Sequence, residues 1–283
     1  VARERQGKLC SYPSLIINSK QFFNRCLQLL LILLLCQRML SIIIPTYNEE
    51  KYLPFLLRSI TAQSFEDYEI IVADNQSKDC TQRQADAAGA RIVAGGLPAA
   101  GRNAGAAAAR GDLLLFLDAD VILPDPKFLE DTVAEFRQRE LGVATCKVEP
   151  LSTKKIDKYM HEGFNYFMWV MSAIKPHAPG FCIFARRDVH QLIGGFDEAI
   201  KLAEDHDYVE RAGRVAKFRV LKSHRIPVSV RRLDKDGRFK TFLKYIAAEI
   251  HIRTKGAIKS DLFKYRFGYQ EEEHSEKKNN KTV

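Results

Sequence analysis

At 283 residues, 46% of them hydrophobic and 28% charged, the chain can bury one large core or two small ones, and its composition sets aside the disordered and fibrous classes. The net charge of +9 favours an anionic partner, whether a nucleotide, a phospholipid surface or a nucleic acid. That excess is local, because Arg214 to Tyr269 holds 16 Lys/Arg against 4 Asp/Glu and leaves the remainder slightly acidic. The six cysteines form no Cys-x-x-Cys pair and no zinc-like spacing, which points to reduced, mostly buried thiols in a cytoplasmic protein.

Residues 1–38 stand apart from the folded pattern. Leu27 to Cys36 is almost wholly apolar, but ten residues are too few to span a bilayer, and no small-x-small cleavage site follows. Two readings stay open: a weak membrane anchor, or an extraneous stretch upstream of a start at Met39.

From Leu40 the chain alternates strand and helix. Leu40–Ile44 is a β-branched apolar run closed by Pro45, and the loop Pro45-Thr46-Tyr47-Asn48-Glu49-Glu50 opens a helix with Leu53, Leu56, Leu57 and Ile60 on one face. Tyr68–Ala73 is a second strand ending in Asp74, Thr81 onward is helical, and Ala90–Ala94 is a third strand. Such alternation implies a mostly parallel sheet with helices on both faces. The following Gly101-Arg102-Asn103-Ala104-Gly105 opens an Ala-rich helix but lacks the dinucleotide glycine fingerprint. Its glycines suit close helix packing, and Arg102 near a helix start suits a phosphate.

Leu113–Leu117 is an apolar run bounded by Gly111 and by acids, a strand buried on both faces. It ends in Asp118-Ala119-Asp120, at the edge where an open α/β sheet presents its ligand crevice. Hard oxygen ligands there suit Mg²⁺ or Mn²⁺ carrying a diphosphate; the plain alternative is an acidic, solvated turn.

The second half predicts a helix over Lys127–Arg139, a strand over Val143–Val148 and an aromatic-rich helix across 156–174, whose rings serve either the core or an acceptor-facing wall. Gly180 precedes another apolar strand, and Ala203-Glu204-Asp205-His206-Asp207 opens a helix whose acids complement its dipole. After a strand at Phe218–Leu221 comes His224, read either as a metal ligand or as a surface histidine. Lys240–Lys255 is a basic helix with Leu243, Ile246, Ala247 and Ile250 on one side, suited to packing on the domain or to lying on an anionic membrane. Glu271–Val283 has no apolar period and is expected to be disordered.

Taken together, these motifs resemble the family 2 glycosyltransferases with the GT-A fold, over about residues 39–232. The resemblance implies a nucleotide-binding half at 39–123 and an acceptor half at 124–232, followed by a basic amphipathic segment at 233–270. It implies a metal-dependent, inverting transfer of one sugar from a nucleotide-diphosphate sugar to a hydroxyl acceptor. The acceptor would be lipid-linked or a surface-glycan precursor, and the basic C-terminal helix suits a cytoplasmic protein in peripheral contact with the membrane's inner face. Pro45, Tyr47, Glu49 and Asp74 would border the base and ribose, with Arg102, Asp118 and Asp120 completing the donor site. Asp120, with His224, would bind Mn²⁺ or Mg²⁺. Asp205 would be the general base, Glu204 would orient it or bind the acceptor, and Gly180 would line the acceptor side. Ala73 stands where the family more often has an acid, and the Gln-x-x-Arg-Trp pattern of processive members does not occur. The alternatives are a sugar-phosphate nucleotidyltransferase, which carries a Gly-rich phosphate loop after strand one, and a non-catalytic protein binding sugar nucleotides or nucleic acid. Nucleic-acid binding is not expected, since no recognised module frames the C-terminal aromatics.

Overall fold

The computed structural model describes residues 39–172 and 175–260. The expectations for 1–38, for 261–270 and for the tail at 271–283 lie outside them. Seven strands form one sheet in the order β3-β2-β1-β4-β6-β5-β7. They are β1 (Leu40–Thr46), β2 (Tyr68–Asp74), β3 (Arg91–Ala94), β4 (Leu113–Leu117), β5 (Val143–Pro150), β6 (Cys182–Arg186) and β7 (Phe218–Val228). All pairings are parallel except those of β6, which runs against both β4 and β5.

Alternating residues of the central strands feed two cores. Leu40, Ile42, Ile44, Leu113, Leu115 and Leu117 pack on one face against α1 (Leu53–Thr61) and α4 (Phe128–Gln138). Ile43, Ile71, Leu114 and Phe116 pack on the other, against α3 (Pro98–Ala108) and α7 (Glu204–Val215). Burial on both faces is why these strands read as unbroken apolar runs. Ser41, polar in the middle of the apolar β1 run, is fully buried and satisfied: its hydroxyl donates to Glu69 at 2.8 Å and accepts from the Gly111 amide at 2.9 Å. In α3 the two glycines let the helix sit on β1, since a Cβ on Gly105 would lie 2.3 Å from Ile43 Cγ2 and one on Gly101 would lie 3.1 Å from Pro45 Cβ.

The β1–β4 ladder stops at Ile43–Phe116, whereas β1–β2 pairing continues to Thr46–Asp74. Pro45, which has no amide hydrogen, therefore costs no ladder bond on the β4 side. The chains diverge there, at the point where successive connections leave in opposite directions along the sheet, and this divergence opens a crevice. The C-terminal ends of β1, β2, β4 and β7 share that edge. Antiparallel β6 brings its N-terminal end to the same place.

Beyond α2 (Thr81–Ala87), α5 (Lys155–Met171) and the short α6 (Arg187–Leu192), the chain ends in α8 (Arg231–Asp236) and α9 (Arg238–Lys255), separated by Gly237 at φ +85. Arg238 anchors α9 by a forked pair of bonds, 2.6 and 2.9 Å, to the fully buried carboxylate of Asp157 in α5. Two readings left open by the sequence are narrowed. In α9 only Thr241 and Ala248 are buried, while Leu243, Ile246 and Ile250 are 41–57% exposed, so that side does not pack on the domain. In α5 the rings divide: Phe164 packs against the core, but Tyr159, Tyr166 and Trp169 face solvent.

Candidate active site

The loops after β1 and β2 are laced together. The amides of Asn48 and Glu49 donate to Ser77 Oγ and Thr81 Oγ1, both at 2.8 Å, and the Lys78 amide returns a bond to Asn48 Oδ1. Asn48 and Gln76 take left-handed φ values of +53 and +56, a backbone cost that tends to persist where a loop is shaped for a ligand. Asp74, 4% exposed, accepts bonds from Thr46 Oγ1, from the Ser77 amide and hydroxyl, and from Gln82 Nε2. Burial alone would raise its pKa, but these donors hold the carboxyl below its ordinary value. Pro45 is buried and Tyr47 half-buried on the same edge.

Asp118 and Asp120 leave the end of β4, and each meets an arginine. Arg102 of α3, 2% exposed, places Nη2 at 2.8 Å from Asp118 Oδ1 and Nη1 at 2.7 Å from Glu204 Oε1. Arg231, at the start of α8, places Nε at 2.9 Å from Asp120 Oδ2 and both terminal nitrogens on Glu49, while its guanidinium lies over the Tyr52 ring. The Ser229 amide donates to the Asp120 carbonyl, which ties this acid to the end of β7. Burial pushes Asp120 up to about 6; Arg231 opposes the shift, and the neighbouring charges of Asp118 and Glu49 add to it.

On the other wall, Glu204 and Asp205 form the first turn of α7, entered through Ala203 at φ +65. Asp205 Oδ2 accepts the Gly180 amide at 2.5 Å, and its Oδ1 accepts the His206 amide. Gly180 sits hard against this pair, since a Cβ there would lie 2.5 Å from Arg102 Nη2 and 3.4 Å from Asp205 Oδ2. Burial and the adjacent Asp205 raise the Glu204 pKa, while Arg102 works against both. Asn103, one residue along α3, fixes the loop before α7 through two bonds to the Phe196 backbone.

Pro45, Tyr47, Glu49, Asp74, Arg102, Asp118, Asp120, Gly180, Glu204 and Asp205 thus gather at one edge of the sheet. Two of them meet partners that the motif reading did not foresee. Arg102 spends both terminal nitrogens on carboxylates rather than standing open to a phosphate, and Glu49 is gripped by Arg231. His224 meets other acids: its Nε2 lies 2.8 Å from Asp131 and its Nδ1 3.8 Å from Asp125, around the start of α4. Arg231 was missed. Its only signal was a basic pair directly following a strand that ends at the ligand edge.

The family model described as Glycosyl transferase family 2 matches residues 41–194. An uncharacterized glycosyltransferase of Haemophilus influenzae is 28% identical over 193 residues, 60% of this chain and 60% of that protein. An undecaprenyl-phosphate 4-deoxy-4-formamido-L-arabinose transferase of Pseudomonas fluorescens is 43% identical over 99 residues, 30% of this chain and 28% of that one. Among solved structures, a mannosyltransferase from Pyrobaculum calidifontis in complex with GDP-Man and Mn²⁺ superposes with a TM-score of 0.61 at 18% identity, covering 78% of this chain and 66% of that one. At that identity the likeness establishes the fold. The chain spans less than two thirds of each of these relatives.

Proposed function

The chain belongs to glycosyl transferase family 2, and from that membership we propose that it moves a single sugar from a nucleoside-diphosphate sugar to an acceptor hydroxyl, with inversion at the anomeric carbon. The observation that carries this reading is Arg102. One buried guanidinium holds a donor-side acid, Asp118, and an acceptor-side acid, Glu204, so donor and acceptor chemistry face one another across its width.

Asp74, kept charged by its hydrogen-bond donors, is suited to accept a ring N–H of the nucleotide base. Asp118 and Asp120 fit a divalent cation: both are hard oxygen donors, and burial with the neighbouring charges of Asp118 and Glu49 keeps Asp120 at about 6 even with Arg231 beside it. Mn²⁺ or Mg²⁺ bound there would neutralise the negative charge growing on the departing diphosphate. Asp205 takes the proton of the acceptor hydroxyl as its oxygen attacks the anomeric carbon from the face opposite the leaving group. The Gly180 amide holds one oxygen of Asp205, and the Arg102–Glu204 pair fixes the wall beside it. A single displacement of this kind inverts the anomeric centre.

The acceptor fits a lipid-linked class. Phe239, Phe242, Leu243, Ile246 and Ile250 are exposed along α9 beside Lys240, Lys244, Arg253 and Lys255, a composition suited to an anionic membrane surface. The named acceptor of the Pseudomonas relative is a lipid phosphate, which supports the same class. No helix among the described residues is long and apolar enough to cross a membrane, and the contact proposed for α9 is peripheral. Co-sedimentation with anionic but not neutral vesicles is expected, and binding indifferent to lipid charge would contradict the electrostatic attachment.

Thermal shift against UDP-, GDP- and dTDP-sugars, each with Mn²⁺, with Mg²⁺ and with EDTA, tests the donor reading. A metal-dependent rise with one nucleotide class is expected through ligand linkage. A folded chain that responds to none of them would overturn it.

A further inference from the structure

His177, His206 and Glu249 come from three places with no shared spacing: the stretch before Gly180, the first turn of α7 and the middle of α9. One ligating atom from each lies within 4.8 Å of the others. Their arrangement poses a hydrogen-bonding problem. His177 Nδ1 is 3.0 Å from the Lys175 carbonyl, which can only accept, so that nitrogen carries the ring proton. Nε2 faces both oxygens of Glu249, 3.2 Å from each, and without a second ring proton it would aim a lone pair at them. His206 adds a nitrogen with nothing to bond, since its Nδ1 is buried, has no hydrogen-bond partner and lies 3.9 Å from Glu249 Oε2. The two imidazole rings are 4.7 Å apart. A proton on His177 would satisfy its contact with Glu249 and leave His206 Nδ1 unpaired. A single divalent cation satisfies all three groups.

We propose that His177 Nε2, His206 Nδ1 and the Glu249 carboxylate form a second metal site, for Zn²⁺ or a similar late first-row divalent ion. Two imidazole nitrogens and one carboxylate are a donor set that favours such ions over Mg²⁺. The His177 Nδ1 bond to a backbone carbonyl is the outer-sphere contact that orients a ligating histidine. Arg253 Nε already occupies Glu249 Oε1 at 2.6 Å, which leaves Oε2 on the His206 side. A cleft of about 190 Å³, lined in part by Lys175, His177, Ala203 and His206, gives water access to a fourth position.

The site shares no residue with the Asp118–Asp120 pair, and the inference does not rest on the transferase reading. Its role would be to position. The ion would tie the stretch before Gly180, whose amide holds Asp205, to the helix that carries Asp205, and both to α9. That last helix buries only two of its residues, so the ion would be a principal tether.

The 283-residue chain carrying Asp120→Asn, with the donor-side acid removed, is stripped with EDTA and titrated with Co²⁺. The expected result is one Co²⁺ per chain with the intense visible absorption of four-coordinate cobalt, displaced by Zn²⁺. His206→Gln and Glu249→Gln should each lose that band, with affinity falling beyond the tenfold to hundredfold, roughly, that loss of an outer-sphere contact costs. Circular dichroism checks that both variants fold. The wild-type and Asp120→Asn chains carry the test even where a ligand variant does not fold. Absence of the band in folded wild-type protein would overturn the proposal. So would its loss in Asp120→Asn, or its survival in folded His206→Gln and Glu249→Gln.

Discussion

Arg231 grips Glu49 through both terminal nitrogens, at 2.8 and 2.9 Å, across 182 residues of sequence. The same guanidinium reaches Asp120 with Nε. Glu49 is 4% exposed, and Arg231 is the cation that holds both of its oxygens. Removing it strands two buried carboxylates. Arg231→Met should cost about 3–5 kcal/mol of stability in urea unfolding with EDTA present. Excess Mn²⁺ should return part of that loss, because a cation at Asp120 relieves the same repulsion. Unfolding curves that respond to Mn²⁺ no more than the wild type would argue against a cation there.

The two acidic clusters should separate in binding and turnover. Asp120→Asn removes a donor-side ligand and should abolish the metal-dependent donor shift together with transfer. Asp205→Asn leaves the donor side intact and should keep donor binding while turnover falls by about 10²–10⁴, the range for losing a general base. Calorimetric donor titration beside a product assay measures both, and equal loss of donor binding in the two variants would contradict the assignments.

Gly180 is a matter of space. A methyl group there would press on Arg102 Nη2 at 2.5 Å, and Arg102 cannot swing away because both ends of its fork are bound. Gly180→Ala should therefore cost about 1–3 kcal/mol by overpacking. It should also lower kcat more than donor affinity, since the displaced amide is the one that holds Asp205. Denaturant unfolding and steady-state kinetics on the same preparation test the pair of effects.

How far the sequence discloses all this depends on how local each cause is. The runs at Leu40–Ile44 and Leu113–Leu117 are legible because both faces of those strands are buried, and the acids that follow are legible because strand ends carry the site. The reversed direction of β6 is not, since Cys182–Arg186 is a short apolar run that reads the same either way. The apolar side of α9 was visible as a pattern, but periodicity marks a distinct face without saying what covers it. Arg231 and the His177, His206 and Glu249 group escaped because their partners are set by tertiary packing alone, far apart in the chain.

His190 provides a pH dependence whose sign can be fixed. Its ring lies 8% exposed among Phe116, Phe196 and Tyr208, with Nδ1 3.0 Å from the Tyr208 hydroxyl. Burial, reinforced by Arg211 and Arg187, pushes its pKa down from 6.5 to about 4. The unfolded chain therefore binds the proton more readily than the folded one between these values. Stability from this group is complete above pH 6.5 and is lost as pH falls towards 4, by about 3 kcal/mol in all. His190→Gln cannot titrate, so its unfolding free energy should fall less steeply than the wild type's across that interval. Urea unfolding at a series of pH values measures the difference. Parallel slopes for the two proteins would mean that the His190 ring takes up its proton as readily folded as unfolded.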